Sequence, residues 1–173
     1  VDRYGIDIVV PFVDGAVGVA ADYSARHRGK VFVPSGRSDV AELMFDKVRA
    51  AEALERASLP VPATYRPGDP CLRLIAKPRH GSASKGIVEI SSVECLDEML
   101  LRGNDYLIQE RIDNREELTV DCYVSVADGK PLVISPRRRN VTVGGEVSDT
   151  VTVGSPAAVE LTRRVLAAFD LRG

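Results

Sequence analysis

Leu74-Ile-Ala-Lys-Pro-Arg-His-Gly-Ser-Ala-Ser-Lys-Gly-Ile87 is the stretch that decides how this chain is read. An apolar run from Leu72 to Ala76, broken only by Arg73, leads into Lys77 and predicts a short strand. Gly81, Ser82, Ala83, Ser84, Lys85 and Gly86 then form a loop of small residues, and Ile87-Val-Glu-Ile90 predicts a second strand. Such a loop can fold over a ligand and present backbone N–H groups and hydroxyls to phosphates. Glycine and serine between two strands also fit a plain hairpin turn. Lys77 separates the two readings, because a lysine at the end of an apolar run is costly without a partner for its ammonium group.

The totals narrow the classes. With 173 residues the chain suits one domain or two small ones. A net charge of −2 argues against binding nucleic acid through bulk charge, and the absence of Trp argues against a base-stacking surface. Cys71, Cys95 and Cys122 are odd in number and widely spaced, which predicts reduced thiols in a cytoplasmic protein. His27 and His80 are isolated, so no metal site is expected from them. No apolar run approaches the roughly 20 residues that a membrane helix needs. The opening Val1-Asp-Arg-Tyr-Gly5 runs straight into Ile6–Val10, which reads as the middle of an α/β domain; a piece of a longer protein is expected.

Outward from the loop, Ile6–Val10 and Lys30–Pro34 predict strands of a parallel sheet, with a helix over 16–27 between them. Ser38-Asp39, with Glu42, predicts a helix start, and strong helix formers from Val40 to Ala57 predict one long helix. Met44, Val48, Ala51 and Leu54 or Glu55 would form its face. Pro60 ends it. Arg66–Pro70 is a turn. Ser91-Ser-Val-Glu94 predicts a capping box for a helix buried through Leu96, Met99 and Leu100. Tyr106–Ile112 predicts a strand that turns polar midway and breaks at Asp113-Asn114. Glu117–Val126, an Asp-Gly turn at 127–130, Pro131–Ser135, a Gly144-Gly145 turn and Thr150–Val153 predict a mostly antiparallel section. Ser155-Pro156 caps a last helix, with a face of Ala158, Leu161, Val165, Ala168 and Phe169.

Three further groups could carry chemistry. Lys47 follows Asp46 and fits a solvated helix lysine, yet with Lys77 it could bracket a polyphosphate. Gln109-Glu110-Arg-Ile112 leaves the core for a break, where backbone groups can meet an adenine edge against Ile112. Glu117 could accept from ribose hydroxyls, or Glu116 and Glu117 could be solvated charges. Arg137-Arg-Arg139 could hold phosphate or carboxylate bidentately, and equally fits a solvated turn or an RNA contact.

Taken together, Asp46-Lys47 at a helix start, Lys77 to Gly86, Gln109 to Ile112 and Glu117 to Asp121 resemble the ATP-grasp superfamily over about residues 5–152. The nearest pattern is that of carbamoyl-phosphate-synthase-like members. The resemblance implies an α+β ATP-grasp fold, truncated, after the C-terminal part of a Rossmann-like α/β domain. The implied segments are 1–37 for the end of that preceding domain, 38–112 for the ATP-binding subdomain and 113–173 for an incomplete second lobe. It implies ATP as ligand. Lys47 and Lys77 would hold its phosphates, with His80, Gly81, Ser82, Ala83, Ser84 and Gly86 closing over them. Gln109, Glu110 and Ile112 would meet adenine and Glu117 the ribose, while Arg137 and Arg139 are candidate contacts for phosphate or acyl phosphate. The activity implied is ATP-dependent carboxylate ligation: an acyl phosphate forms, and an amine or other nucleophile displaces the phosphate. Expected partners are small-molecule carboxylate and nucleophile substrates and a second copy in a homodimer, with no nucleic acid or membrane. The family also binds magnesium through an acidic residue and a Glu-x-Asn motif; no such motif occurs here, so Mg2+ is expected of the parent protein and its ligands are not expected in this chain. The alternative is a non-catalytic nucleotide-binding or regulatory module.

Overall fold

A computed structural model describes residues 2–27, 30–69, 73–113, 116–143 and 145–173. Predicted features at Pro70, Leu72, Asn114 and Gly144, and the thiol of Cys71, lie outside these residues. The chain divides into two compact units. The first holds the described residues of Val1–Phe45, Thr119–Arg137 and Thr152–Gly173; the second holds those of Asp46–Leu118 and Arg138–Val151.

The second unit carries the opening stretch. Leu74–Pro78 (β1), Val88–Ile90 (β2) and Tyr106–Glu110 (β3) form a sheet in the order β2-β1-β3. Both pairings are antiparallel, with Ala76 opposite Val88 on one side and Ile108 on the other. Lys77 therefore lies within β1, the middle strand. Alternation along the strands puts Leu74, Ala76, Ile90 and Ile108 into one core with Leu96 and Met99 of Val93–Leu101 (α4). Leu100, expected in that face, is 41% exposed. The helix is capped by Ser92, whose hydroxyl accepts from the N–H of Cys95, one residue later than the predicted box. The other parity of β1 and β3 carries Ile75, Lys77, Leu107 and Gln109. Residues 63–65 run alongside β3, with the Tyr65 N–H donating to Ile108 and the Glu110 N–H to Ala63.

The long helix predicted over 40–57 is two helices, Ser38–Phe45 (α2) in the first unit and Lys47–Arg56 (α3) in the second. Asp46 breaks it. Its backbone is extended, with φ −91° and ψ 103°, and its carboxylate accepts from Val48 and Arg49. An aspartate that captures free N–H groups starts a new helix more readily than it continues an old one. Ala51 is buried on α3.

In the first unit, Asp14–Arg26 (α1) packs against α2. Ser38 already lies inside α2, and the Arg37 carbonyl takes the bond from Ala41; Asp39 pairs with Arg37 instead of capping. The predicted parallel pairing appears as a single bridge between Ile8 and Phe32. The Phe32 N–H donates to Asp7 at 2.7 Å and the Val9 N–H to Phe32 at 3.0 Å. Val31 and Val33 are buried, but Ile6, Ile8 and Val10 are exposed, contrary to the buried strand expected. A parallel strand is buried only where both faces are covered, and among the described residues Ile6–Val10 lacks that cover.

Leu118–Val124 (β4), Pro131–Val143 (β5) and Glu146–Thr152 (β6) follow one another in a second sheet, in the order β4-β5-β6. β5 absorbs Arg137–Arg139, which were compatible with a turn. Ser155 caps Pro156–Phe169 (α5), with proline at the helix start as predicted. Leu166 is the buried residue of α5, and Ala168 is exposed. Val124 is 2% exposed and exchanges two backbone hydrogen bonds with Gly173.

Candidate functional site

Lys47, Lys77, His80 to Gly86, Gln109, Glu110, Ile112, Glu117 and Arg139 all fall in the second unit. Arg137 belongs to the first, where it pairs with Asp121. The antiparallel register explains the placement of Lys77. It sits opposite Leu107, so Gln109 is its diagonal neighbour on the same face. The Lys77 ammonium donates to Gln109 Oε1 at 3.1 Å. Gln109 is 3% exposed and donates in turn to the Pro62 carbonyl at 3.0 Å, which fixes the amide.

Lys47 opens α3, and its Nζ donates to the Gly81 carbonyl at 2.7 Å. Burial first, and then the nearby Lys47 charge, hold Lys77 below the ordinary lysine value. Two cations thus face one region at the root of the glycine loop. Among the described residues no carboxylate pairs with either of them. Such an arrangement favours a bound anion, which would relieve both the desolvation and the repulsion.

The loop itself is built for close approach. Ala83 and Ser84 adopt left-handed backbone angles, with φ 54° and 55°. The N–H groups of Ser82, Ala83 and Ser84 make no hydrogen bond among the described residues, and Ser82 and Ser84 are exposed. The hairpin turn between β5 and β6 meets the loop at Gly145. A Cβ there would stand 2.5 Å from the Ala83 carbonyl carbon and 2.6 Å from the Ser84 hydroxyl, at a φ of +82°. Only glycine fits that position without movement.

At the far end of β3, the break after the strand offers less free backbone than the sequence suggested. The Glu110 N–H is taken by Ala63 and the Arg111 N–H by Arg73. Glu110 Oε1 accepts from the Ala63 N–H at 2.8 Å. Ile112 remains 53% exposed. Glu117 is paired with Arg139, whose Nη1 lies 2.5 Å from its carboxylate. Arg139 Nη2 donates to the Gly145 carbonyl at 3.0 Å, while its buried Nε has no hydrogen-bond partner among the described residues.

Sequence reasoning noted Asp46, Arg79 and Gly145 but gave them no role in the site. Asp46 is 5% exposed and pairs with Arg79 at 2.7 Å. A buried aspartate just before a helix and an arginine two residues past Lys77 were visible signals, but their contact spans 33 positions. A cavity of about 850 Å3 in the first unit, lined by Lys30, Arg37, Asp39 and Arg172 among others, contains none of the predicted nucleotide residues. Among the described residues no cluster of three or more His, Cys, Asp or Glu side chains could hold a metal ion. The described donors therefore do not make a magnesium site. No described helix is long and apolar enough to cross a membrane.

The chain belongs to the ATP-grasp family: the model of the ATP-grasp domain matches residues 44–173. Solved structures show the same fold. The biotin carboxylase domain of Hydrogenobacter thermophilus 2-oxoglutarate carboxylase, in complex with MgADP, ADP and bicarbonate, superposes with a TM-score of 0.76 at 14% identity, over 99% of this chain and 44% of that one. N5-carboxyaminoimidazole synthetase from Staphylococcus aureus, complexed with ADP, gives 0.71 at 15% identity, over 99% and 50%. The D-alanine–D-alanine ligase of Coxiella burnetii gives 0.70 at 17%, over 99% and 54%. No curated protein sequence matches the chain. The chain spans about half the length of these structures. The expected superfamily and the ATP-grasp fold are thereby borne out.

Proposed function

We propose that the second unit binds ATP, as part of a ligase that activates a carboxylate. The observation that carries this is the pair Lys47 and Lys77, which among the described residues have no carboxylate partner, set beside a loop whose Ser82, Ala83 and Ser84 N–H groups make no hydrogen bond among those residues. Lys77 and Lys47 hold the phosphates, His80 and Gly81 to Gly86 close over them, Gln109, Glu110 and Ile112 take the adenine, and Glu117 the ribose. Arg139 is the proposed contact of the phosphoryl group or acyl phosphate. The relatives that share the fold include two solved with ADP, which supports an adenine nucleotide as ligand.

The chemistry follows from charge. Transfer of a γ-phosphoryl group to a carboxylate needs its spreading negative charge neutralised and water excluded. Half-buried lysines supply the first, and a loop closing over the phosphates the second. The acyl phosphate then loses inorganic phosphate to an attacking nucleophile. Magnesium, which neutralises phosphate charge when bound, belongs to the proposed whole protein; no residue here is assigned to it. Small-molecule carboxylate and nucleophile substrates, a homodimer and a cytoplasmic setting complete the reading.

Calorimetric titration with ATP and ADP tests it. Saturable, salt-sensitive binding is expected, weakened by Lys77→Ala about tenfold or more. Absence of binding at millimolar nucleotide would refute it. In the whole protein, ADP release that depends on an added carboxylate is expected, and ATP binding without any such release would favour a regulatory module.

A further inference from the structure

The two lysines are long and flexible, and neither fixes its own position. The segments that carry them are joined through one carboxylate. Asp46 Oδ1 accepts from the N–H groups of Val48 at 3.1 Å and Arg49 at 3.2 Å. Arg79 brings Nε to 2.8 Å and Nη2 to 2.7 Å of Oδ2. The His80 Nε2 stands 3.7 Å from the same oxygen. Beside this contact the Lys47 N–H donates to the Arg79 carbonyl at 3.0 Å, and the Arg79 N–H to the Asp105 carbonyl at 2.8 Å. Lys47 is the next residue after Asp46. Lys77 precedes Arg79 by two residues, and the glycine loop begins just after His80.

The knot therefore joins the first turn of α3, the exit of β1 and the root of the loop. Helix capping alone does not explain it. Ser or Asn caps as well as Asp, without burying a charge. One oxygen serves the cap, and the other is committed to the end of β1. A buried ion pair contributes little net stability but holds groups in one arrangement, and phosphate transfer demands such an arrangement.

We propose that Asp46 is a positioning residue, acting through Arg79 to set Lys47, Lys77 and the loop in register for the nucleotide phosphates. This rests on the ATP reading above. Asp46 touches no ligand in it.

The test compares the wild-type chain with Asp46→Asn, Arg79→Ala and the double variant. Asp46→Asn keeps a capping oxygen and removes the charge. ATP, inorganic tripolyphosphate and adenosine are titrated separately, the first two by calorimetry and adenosine by saturation-transfer NMR, with melting temperatures alongside. Each single variant is expected to bind ATP and tripolyphosphate about tenfold more weakly, the size of one lost charge-assisted contact, with adenosine binding unchanged. The double variant is expected to bind no more weakly than the weaker single, because both break one linkage. ATP affinity within threefold of wild type in Asp46→Asn overturns the proposal while leaving the ATP reading intact. An equal loss for adenosine also overturns it, since that marks general damage to the fold. If the wild-type chain binds no ATP, the nucleotide reading falls and this role falls with it.

Discussion

Replacing Lys77 with methionine separates the role of its charge from that of its stem. Methionine keeps much of the apolar length and removes the ammonium. In the protein the ammonium donates one hydrogen bond, to Gln109 Oε1 at 3.1 Å, and is held below the ordinary lysine value of 10.5 by burial and then by Lys47. Loss of a hydrogen bond to a charged group costs about 1.5–3 kcal/mol, so ATP affinity should fall roughly 10- to 150-fold. Stability should move little. Gln109 Oε1 loses its donor, at about 1–3 kcal/mol if water does not replace it. Relief of a desolvated, repelled cation offsets that loss. One kcal/mol shifts the melting temperature of a chain this size by about 2–4 °C, so a change within about 4 °C is expected. pH provides a second arm. Phosphate favours the charged form of Lys77, so wild-type affinity should decline as pH rises through its lowered pKa, before 10.5 is reached, and the variant should lack that decline. Calorimetry across pH 7 to 10 with a parallel thermal melt measures all of this. A threefold or smaller loss of ATP affinity, with a melting temperature lowered by 10 °C or more, would show a structural lysine and refute the reasoning.

Gly145→Ala should destabilise by about 1–3 kcal/mol, from overpacking and a strained φ, and should speed proteolytic cleavage within residues 81–86 because the new Cβ meets Ala83. Unchanged cleavage would mean that the loop does not rest on this turn. Burial pushes the Asp46 carboxyl up, but the hydrogen bonds from Arg79 and the Arg49 N–H and the charges of Arg79 and His80 outweigh it, so its net shift is downward from 3.8. The stability it gives is present above pH 3.8 and is lost as pH falls through the lowered value; the gap in stability between wild type and Asp46→Asn should narrow on acidification below pH 4. A gap independent of pH would contradict this. Arg137→Ala should cost less than about 1 kcal/mol, since its partner Asp121 is exposed, whereas Arg139→Ala should cost more because Arg139 is 17% exposed and ties Glu117 to Gly145. Equal losses in urea unfolding would count against that ranking.

How far the sequence reaches is clearest at Lys77 and Asp46. The strand, loop and strand around Gly81, the cap at Ser155 and the Asp-Gly turn are local properties. They follow from side-chain volume, φ preference and a period of two, and all were legible. The order of the proposed site residues, from Lys47 to Glu117, is likewise a property of the sequence alone. The split of the predicted helix at Asp46 was not. Strong helix formers dominate 40–57, and Asp46 breaks the run both by capping Val48 and Arg49 and by pairing with Arg79, 33 positions away. The exposure of Ile6, Ile8 and Val10 was equally hidden, since an apolar run states what could be buried and not what covers it. The glycine of the β5–β6 turn was read as a turn former, which it is; that its missing Cβ also admits Ala83 required the sheet and the loop to be placed in space. The sequence by itself determined the strands and loop around Gly81, the order of the motifs and the family. The tertiary structure decided which charges meet, because ion pairs and close backbone approaches join residues that no local pattern links.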